Sequence, residues 1–170
     1  YQQTMADGTT AANGLQLYAW EDSSASNTVR YCVIDGQTQQ TLVPSRLLSA
    51  NAIKPRVLCN GTQFLVYFVN NSSAISLAVI PLSNPTATPT ITNLTGFGVN
   101  DSAISTTSPN YDAAMIEVEP SSDYRILCLA FNNNNSGTTF RVYNYDQPLT
   151  LEDQTSFNEV SRVISIGQVY

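Results

Sequence analysis

Apolar and polar positions along this chain follow one arrangement three times. The first copy is Leu15-Gln16-Leu17-Tyr18-Ala19-Trp20, a turn-rich stretch over residues 21–27, and then Val29-Arg30-Tyr31-Cys32-Val33-Ile34-Asp35. The second copy is Phe64-Leu65-Val66-Tyr67-Phe68, a polar turn over 70–73, and Ile75-Ser76-Leu77-Ala78-Val79-Ile80. The third is Arg125-Ile126-Leu127-Cys128-Leu129-Ala130-Phe131, a turn over 132–137, and Phe140-Arg141-Val142-Tyr143-Asn144-Tyr145. Trp20, Phe68 and Phe131 hold the same place. Each copy reads as a β-hairpin, with a buried strand, a polar turn and a half-exposed partner.

A looser Thr/Pro/Ser-rich stretch and further short strands follow each hairpin. They fall at residues 41–44 and 55–59, at 90–94 and 112–118, and at 148–151 and 160–166. Four strands in ~50 residues is the pattern of a propeller blade. The expected fold is therefore all-β, with about three propeller-like blades of antiparallel four-stranded sheets. A β-sandwich or jelly roll is the alternative that twelve short strands also fit. The expected organisation is an N-terminal extension over 1–13 and blades over 14–57, 58–118 and 119–170. Three blades are fewer than the roughly 4–8 of a closed propeller. The chain is thus expected to be part of a larger ring, completed by other sequence or by other copies. The start at Tyr1, without an initiator Met, reads as a processed piece or an excerpt. No helix is expected beyond one or two turns over 45–52.

Composition agrees with β structure and narrows the function. Hydrophobic residues make up 42% and charged residues 12%, so solubility falls to Asn, Ser, Thr and Gln, which suit turns and strand faces. Net charge is −6, Lys54 is the only lysine, and the six arginines are scattered. Such a chain lacks the clustered cations that displace counterions from nucleic-acid phosphates. It has no histidine, which excludes Ser-His-Asp and Cys-His arrangements and the commonest metal ligand. Cys32, Cys59 and Cys128 lie apart in apolar runs and read as buried free thiols, a disulfide that leaves one thiol over being the alternative. No stretch approaches the ~20 apolar residues of a membrane span.

Candidate chemistry is sparse. The segment Asn133-x-Asn135-x-Gly137-x-Thr139-Phe140 resembles a degraded Asp-box, a turn that serves the fold and not a reaction. The only plausible acid–base groups are the carboxylates Asp22, Asp35, Asp101, Asp112, Glu117, Glu119, Asp123, Asp146, Glu152, Asp153 and Glu159, of which Glu117 and Glu119, at strand spacing, share one face and read as a solvated strand end. No Asp-x-Asp-x-Asp-Gly calcium loop occurs. Asn-x-Ser/Thr matches begin at Asn60, Asn70, Asn71, Asn93, Asn100 and Asn134, with glycosylation the weaker reading. Tyr18, Trp20, Tyr67, Phe68 and Tyr143 recur at equivalent places and are expected in the core. The residues thus designate no catalytic, cofactor-binding or metal-ligating group, no cofactor, and no enzyme.

Three strings carry a family resemblance: Leu17-Tyr18-Ala19-Trp20-Glu21-Asp22, the 29–35 strand, and Leu48-Ser49-Ala50-Asn51-Ala52-Ile53-Lys54-Pro55-Arg56-Val57. Together they resemble the propeller repeats of bacteriophage virion proteins, in particular the tail nozzle (tail tubular) proteins of short-tailed phages. The resemblance covers residues 14–80 best. It implies a structural component of the virion tail, assembled in the host cytoplasm. Such subunits self-associate into a ring, meet other tail or portal-adaptor proteins, and pass DNA without binding it specifically. An acidic surface is compatible with such a conduit. The alternatives are a carbohydrate- or receptor-binding propeller, such as an adhesin for a host-surface glycan, and a glycoside hydrolase or sialidase fragment.

Overall fold

The computed structural model describes residues 3–25, 27–70, 75–93, 111–117, 125–132, 137–144 and 150–158. These form twelve strands: β1 (Gln3–Thr10), β2 (Leu15–Asp22), β3 (Thr28–Asp35), β4 (Gln40–Ser49), β5 (Ile53–Cys59), β6 (Gln63–Val69), β7 (Ile75–Pro81), β8 (Thr90–Asn93), β9 (Tyr111–Glu117), β10 (Arg125–Asn132), β11 (Thr138–Asn144) and β12 (Thr150–Phe157). They make three four-stranded antiparallel sheets, each a simple meander: β1-β2-β3-β4, β5-β6-β7-β8 and β9-β10-β11-β12. The fold is all-β with propeller-like blades. The chain divides into two compact units, residues 1–93 with the first two sheets and residues 94–170 with the third.

The hairpins predicted from the apolar pattern appear as β2–β3, β6–β7 and β10–β11. The sheets, however, begin one strand earlier than the repeat suggests. Residues 1–13, read as an extension, contain β1, which pairs with β2 along its length. Residues 53–59 pair with β6 and open the second sheet instead of closing the first. The sequence of β1 hides it. Gln-Thr-Met-Ala-Asp-Gly-Thr-Thr has no apolar alternation, because an edge strand needs little. Residues 45–52, allowed a helical turn, lie largely in β4, and the one helical turn among the described residues is a 3-10 turn at Ser23–Ala25. The strand expected at 160–166 lies outside the described residues.

Local chemistry sets the turns. The Asp35 carboxylate accepts hydrogen bonds from the backbone of Gln37 (2.9 Å) and Thr38 (3.2 Å) and closes the β3–β4 connection. The Asn60 side-chain oxygen does the same for Thr62 (3.0 Å) and Gln63 (2.7 Å) between β5 and β6, where Gly61 takes a positive φ. Asn60 is buried in this role, which agrees with the weaker standing of glycosylation there. Asn27 and Asn51, at strand ends, also take positive φ, which asparagine tolerates.

Period-two alternation then builds the core of the first unit. In β2 and β3, Leu17, Ala19, Val29, Tyr31 and Val33 point to one face. That face meets Phe64, Val66 and Phe68 of β6 and Ala78 and Ile80 of β7. Val43 and Leu48 of β4 and Val57 of β5 complete the cluster. Each Val, Leu, Ile or Phe among them contributes on the order of 1.5–3 kcal/mol by leaving water. In the second unit, Arg141 of β11 is buried with its guanidinium 5.3 Å from the centre of the Phe131 ring, a cation–π contact on one face of the third sheet.

Candidate functional site

In a chain this poor in charge, ionisable residues gathered at one place are informative. Four gather where the first sheet meets β5: Asp7 of β1, Glu21 of β2, and Lys54 and Arg56 of β5. One Asp7 oxygen accepts the amide of Val57 (2.8 Å) and the other the amide of Gly8 (2.9 Å). Glu21 accepts the amide of Lys54 (3.3 Å). Two carboxylates of the first sheet thus take two backbone donors on β5. Ala52 N–H to Asn27 C=O (2.6 Å) adds a third tie at the turn into β5.

Irregular backbone makes this possible. The ladder of β1 shifts register between Thr4 and Asp7, with Met5 at φ 48°, and that of β5 shifts between Ile53 and Arg56, with Lys54 at φ 54°. Bulges of this kind re-aim side chains and bend strands, and they gather next to functional sites. Burial pulls the Lys54 ammonium below its usual range, Arg56 adds to the effect, and Glu21 works against it. A lysine of lowered pKa beside carboxylates is a combination that acid–base chemistry can use. Here both Asp7 oxygens are engaged by backbone amides, one joining the sheets at Val57 and the other held by Gly8 of its own strand.

A second polar group ties β2, β3 and β4 together. Asp22 is only 1% exposed; it accepts from the amide (3.2 Å) and hydroxyl (2.5 Å) of Ser24 and lies 3.4 Å from Arg30 Nε. Arg30 in turn donates to the Ser45 hydroxyl (3.2 Å). Beside it, Leu42, Val43, Pro44, Ser45 and Arg46 of β4 and Thr86 line an open groove of about 310 Å³. Arg46 donates to the Thr86 carbonyl (3.0 Å), and its other terminal nitrogen lies 3.5 Å from the Thr88 hydroxyl.

The residues singled out from sequence distribute differently. Glu117 ends β9, and Glu119 lies outside the described residues, as do Asn133 and Asn135 of the Asp-box-like turn. Asp22 is buried in the network above, and Asp35 is spent on its turn. Glu152 and Asp153 lie on β12. Cys32 and Cys59 are free thiols, half-buried where full burial was expected; burial raises the Cys32 pKa, against a lowering by the Tyr18 backbone. Of the aromatics, Tyr67 and Phe68 are buried, Trp20 is half-buried, and Tyr18 is 43% exposed, a correction to its expected place in the core. Asp7 and Glu21 were missed. Their signal was charge at Asp7, Glu21, Lys54 and Arg56, all placed within or beside strand segments. Among the described residues, no group of three or more His, Cys, Asp or Glu could hold a metal ion, and no helix is long and apolar enough to cross a membrane.

No family model and no curated protein matches this chain. Among solved structures it is similar to the Bacteroides ovatus xyloglucan PUL GH43B, at 10% identity and a TM-score of 0.49 over 86% of this chain. The chain spans 27% of that protein's length. The expectation, drawn from sequence, that the chain is not an enzyme is not upheld. Propeller-like blades do not by themselves place a chain outside catalysis.

Proposed function

We propose that this chain is a propeller segment of a phage virion, of the tail-nozzle kind, contributing to a ring-shaped DNA conduit. One observation carries the reading. The three strings that resemble nozzle repeats coincide with β2, with β3, and with the end of β4 through the turn into β5. The residues of the resemblance are thus those that build one blade and join it to the next: Leu17, Ala19, Val29, Tyr31 and Val33 fill the core, and Glu21 and Lys54 form the joint. The net charge of −6 suits a passage for DNA, since attraction to phosphates would slow transit. The test is peptide mass spectrometry of purified tailed particles, with antibody labelling by electron microscopy. The chain should be found in stoichiometric amount at the tail end; its absence from intact particles would refute the proposal.

The groove beside β4 favours a second reading, a carbohydrate-binding propeller. Its size is at the lower end for ligand sites, and it combines the flat ring of Pro44 with hydrogen-bonding Ser45 and Arg46. Titration with neutral and acidic oligosaccharides tests it. Binding that Arg46→Ala abolishes would support this reading, and no saturable binding at millimolar sugar would reject it.

A further inference from the structure

The register of the strands gives every blade two faces, and they differ in kind. The pairs Tyr18–Cys32, Val66–Ala78 and Leu129–Arg141 occupy the same place in the three hairpins, as do Ala19–Tyr31, Tyr67–Leu77 and Ala130–Phe140. In the first unit the Ala19–Tyr31 face of the first sheet lies on the Val66–Ala78 face of the second. In this joint the first sheet therefore presents one face and the second sheet receives it. The receiving face of the second sheet is closed: Phe64, Val66, Phe68, Ala78 and Ile80 are all buried. At the same places the first sheet carries Gln16, Tyr18, Trp20, Cys32 and Ile34, and there the surface is open. Tyr18 is 43% exposed, Leu47, which pairs with Arg30 on this face, is 50% exposed, and Trp20, Cys32 and Ile34 are half-buried.

We infer that this open face of the first sheet is a docking site for the third sheet of a second copy of the chain. Residue types at matched positions select that occupant. The receiving faces agree: an aromatic at Trp20 and Phe68, a small residue at Cys32 and Ala78, isoleucine at Ile34 and Ile80. The presenting faces agree as well. Ala19, Tyr31 and Val33 in the first sheet correspond to Ala130, Phe140 and Val142 in the third, with Phe140 and Val142 half-buried. The Tyr31 hydroxyl has no hydrogen-bond partner among the described residues, so the place needs the ring alone, which Phe140 supplies. A third sheet set against a first sheet repeats the joint already present between the first and second. The contact is head-to-tail, one copy's third sheet on the other copy's first. This extends the ring assembly proposed above but rests on strand register alone. Association of the pure chain decides it, whereas particle composition decides the virion reading.

Sedimentation equilibrium and native mass spectrometry of the pure chain test the inference. A two-copy species, twice 18.5 kDa, is expected at micromolar concentration. Tyr18→Arg, at an exposed position, should weaken association at least tenfold with the circular dichroism unchanged. Ile91→Arg, on the exposed edge strand β8, should leave association intact. In a head-to-tail contact Phe140→Arg should weaken it too, and mixing the Tyr18→Arg and Phe140→Arg variants should restore a heterodimer through the one intact joint. A chain that stays monomeric at 100-fold higher concentration, or a dimer indifferent to Tyr18→Arg, would overturn the inference. If Phe140→Arg unfolds, the Tyr18→Arg and Ile91→Arg pair still decides.

Discussion

Replacing Asp7 with alanine tests the joint between the first sheet and β5 at a single hydrogen bond. The Asp7 carboxylate accepts the Val57 amide at 2.8 Å, across the boundary between two blades. A hydrogen bond to a charged group contributes about 1.5–3 kcal/mol, and half-exposure of Asp7 places this one nearer ~1–2 kcal/mol. Loss of that amount should raise amide exchange at Val57 by about 5- to 30-fold, at a factor of ten per ~1.4 kcal/mol. Asp7→Asn keeps an acceptor oxygen without the charge and should fall between. Amides of the Val66–Ala78 pair, deep in the second sheet, should change far less in native-state exchange read by NMR. The reasoning fails if Val57 protection is unchanged in Asp7→Ala, or if Val57 and Val66 lose protection equally. The second outcome would mean that the carboxylate serves global stability and not this joint.

Four further changes probe separate links. A Cβ at Gly8 would stand 2.6 Å from Tyr18 Cδ1 and 3.0 Å from the Leu17 carbonyl oxygen, so Gly8→Ala should cost ~1–3 kcal/mol in urea denaturation. Much of that cost should vanish in a Tyr18→Ala background; strict additivity in the double-mutant cycle would disprove the ring contact. Phe68→Ala, fully inside the core, should cost about 3–5 kcal/mol, and Trp20→Ala at the equivalent half-buried place clearly less in the monomer; equal losses would contradict the asymmetry of the two faces. Because the folded chain holds Lys54 below its usual pKa, the unfolded chain binds the proton more tightly, and stability should rise as pH climbs through the folded-state value towards 10.5. Lys54→Met should lose that rise, so parallel urea midpoints for the two proteins between neutral pH and about 10.5 would refute the assignment. Asp35 is held below the usual carboxylate range by the Thr38 side chain and the Thr38 and Gln37 amides, so its contribution is present above pH 3.8 and lost as pH falls through the folded value. Faster Gln37 and Thr38 amide opening in acid, absent from Asp35→Asn, is the expected sign; acid-independent opening counts against it.

The hairpins were legible in the sequence because both determinants of a hairpin are local. Alternation picks the faces, as in Val29-Arg30-Tyr31-Cys32-Val33, and a polar cluster marks each turn. The sheet boundaries were not, and β1 shows why. A strand at the edge of a sheet pairs on one side only, and β1 meets its neighbour through Gly8 under the Tyr18 ring instead of through apolar side chains of its own. Hydrophobic periodicity cannot register such a strand. Once β1 is overlooked, the apolar β5 is the natural candidate to complete the first blade, and every later boundary shifts with it.

The polar joint was hidden for a related reason. Asp7 and Glu21 act on backbone amides, and the chemistry of an amide does not depend on the residue that carries it, so no pairing of residue types betrays the contact. What the sequence does show is charge out of place: Lys54 and Arg56 flank Pro55 inside a strand, in a chain with 12% charged residues. The energetics explain why such a joint is worth having. Apolar contacts between the sheets supply most of the free energy, but side chains of similar volume can slide by two residues with little loss. A carboxylate facing one particular amide cannot slide without leaving both groups unpaired, which costs about 1–3 kcal/mol. Asp7 and Glu21 therefore set the register of one blade on the next, while Leu17, Phe64, Phe68 and Ile80 hold them together. A blade added to the open face around Tyr18 and Trp20 would need its own register-setting contact. Arg30 lies on that face, its guanidinium held by Asp22 and Ser45, and Leu47 is its partner across the ladder.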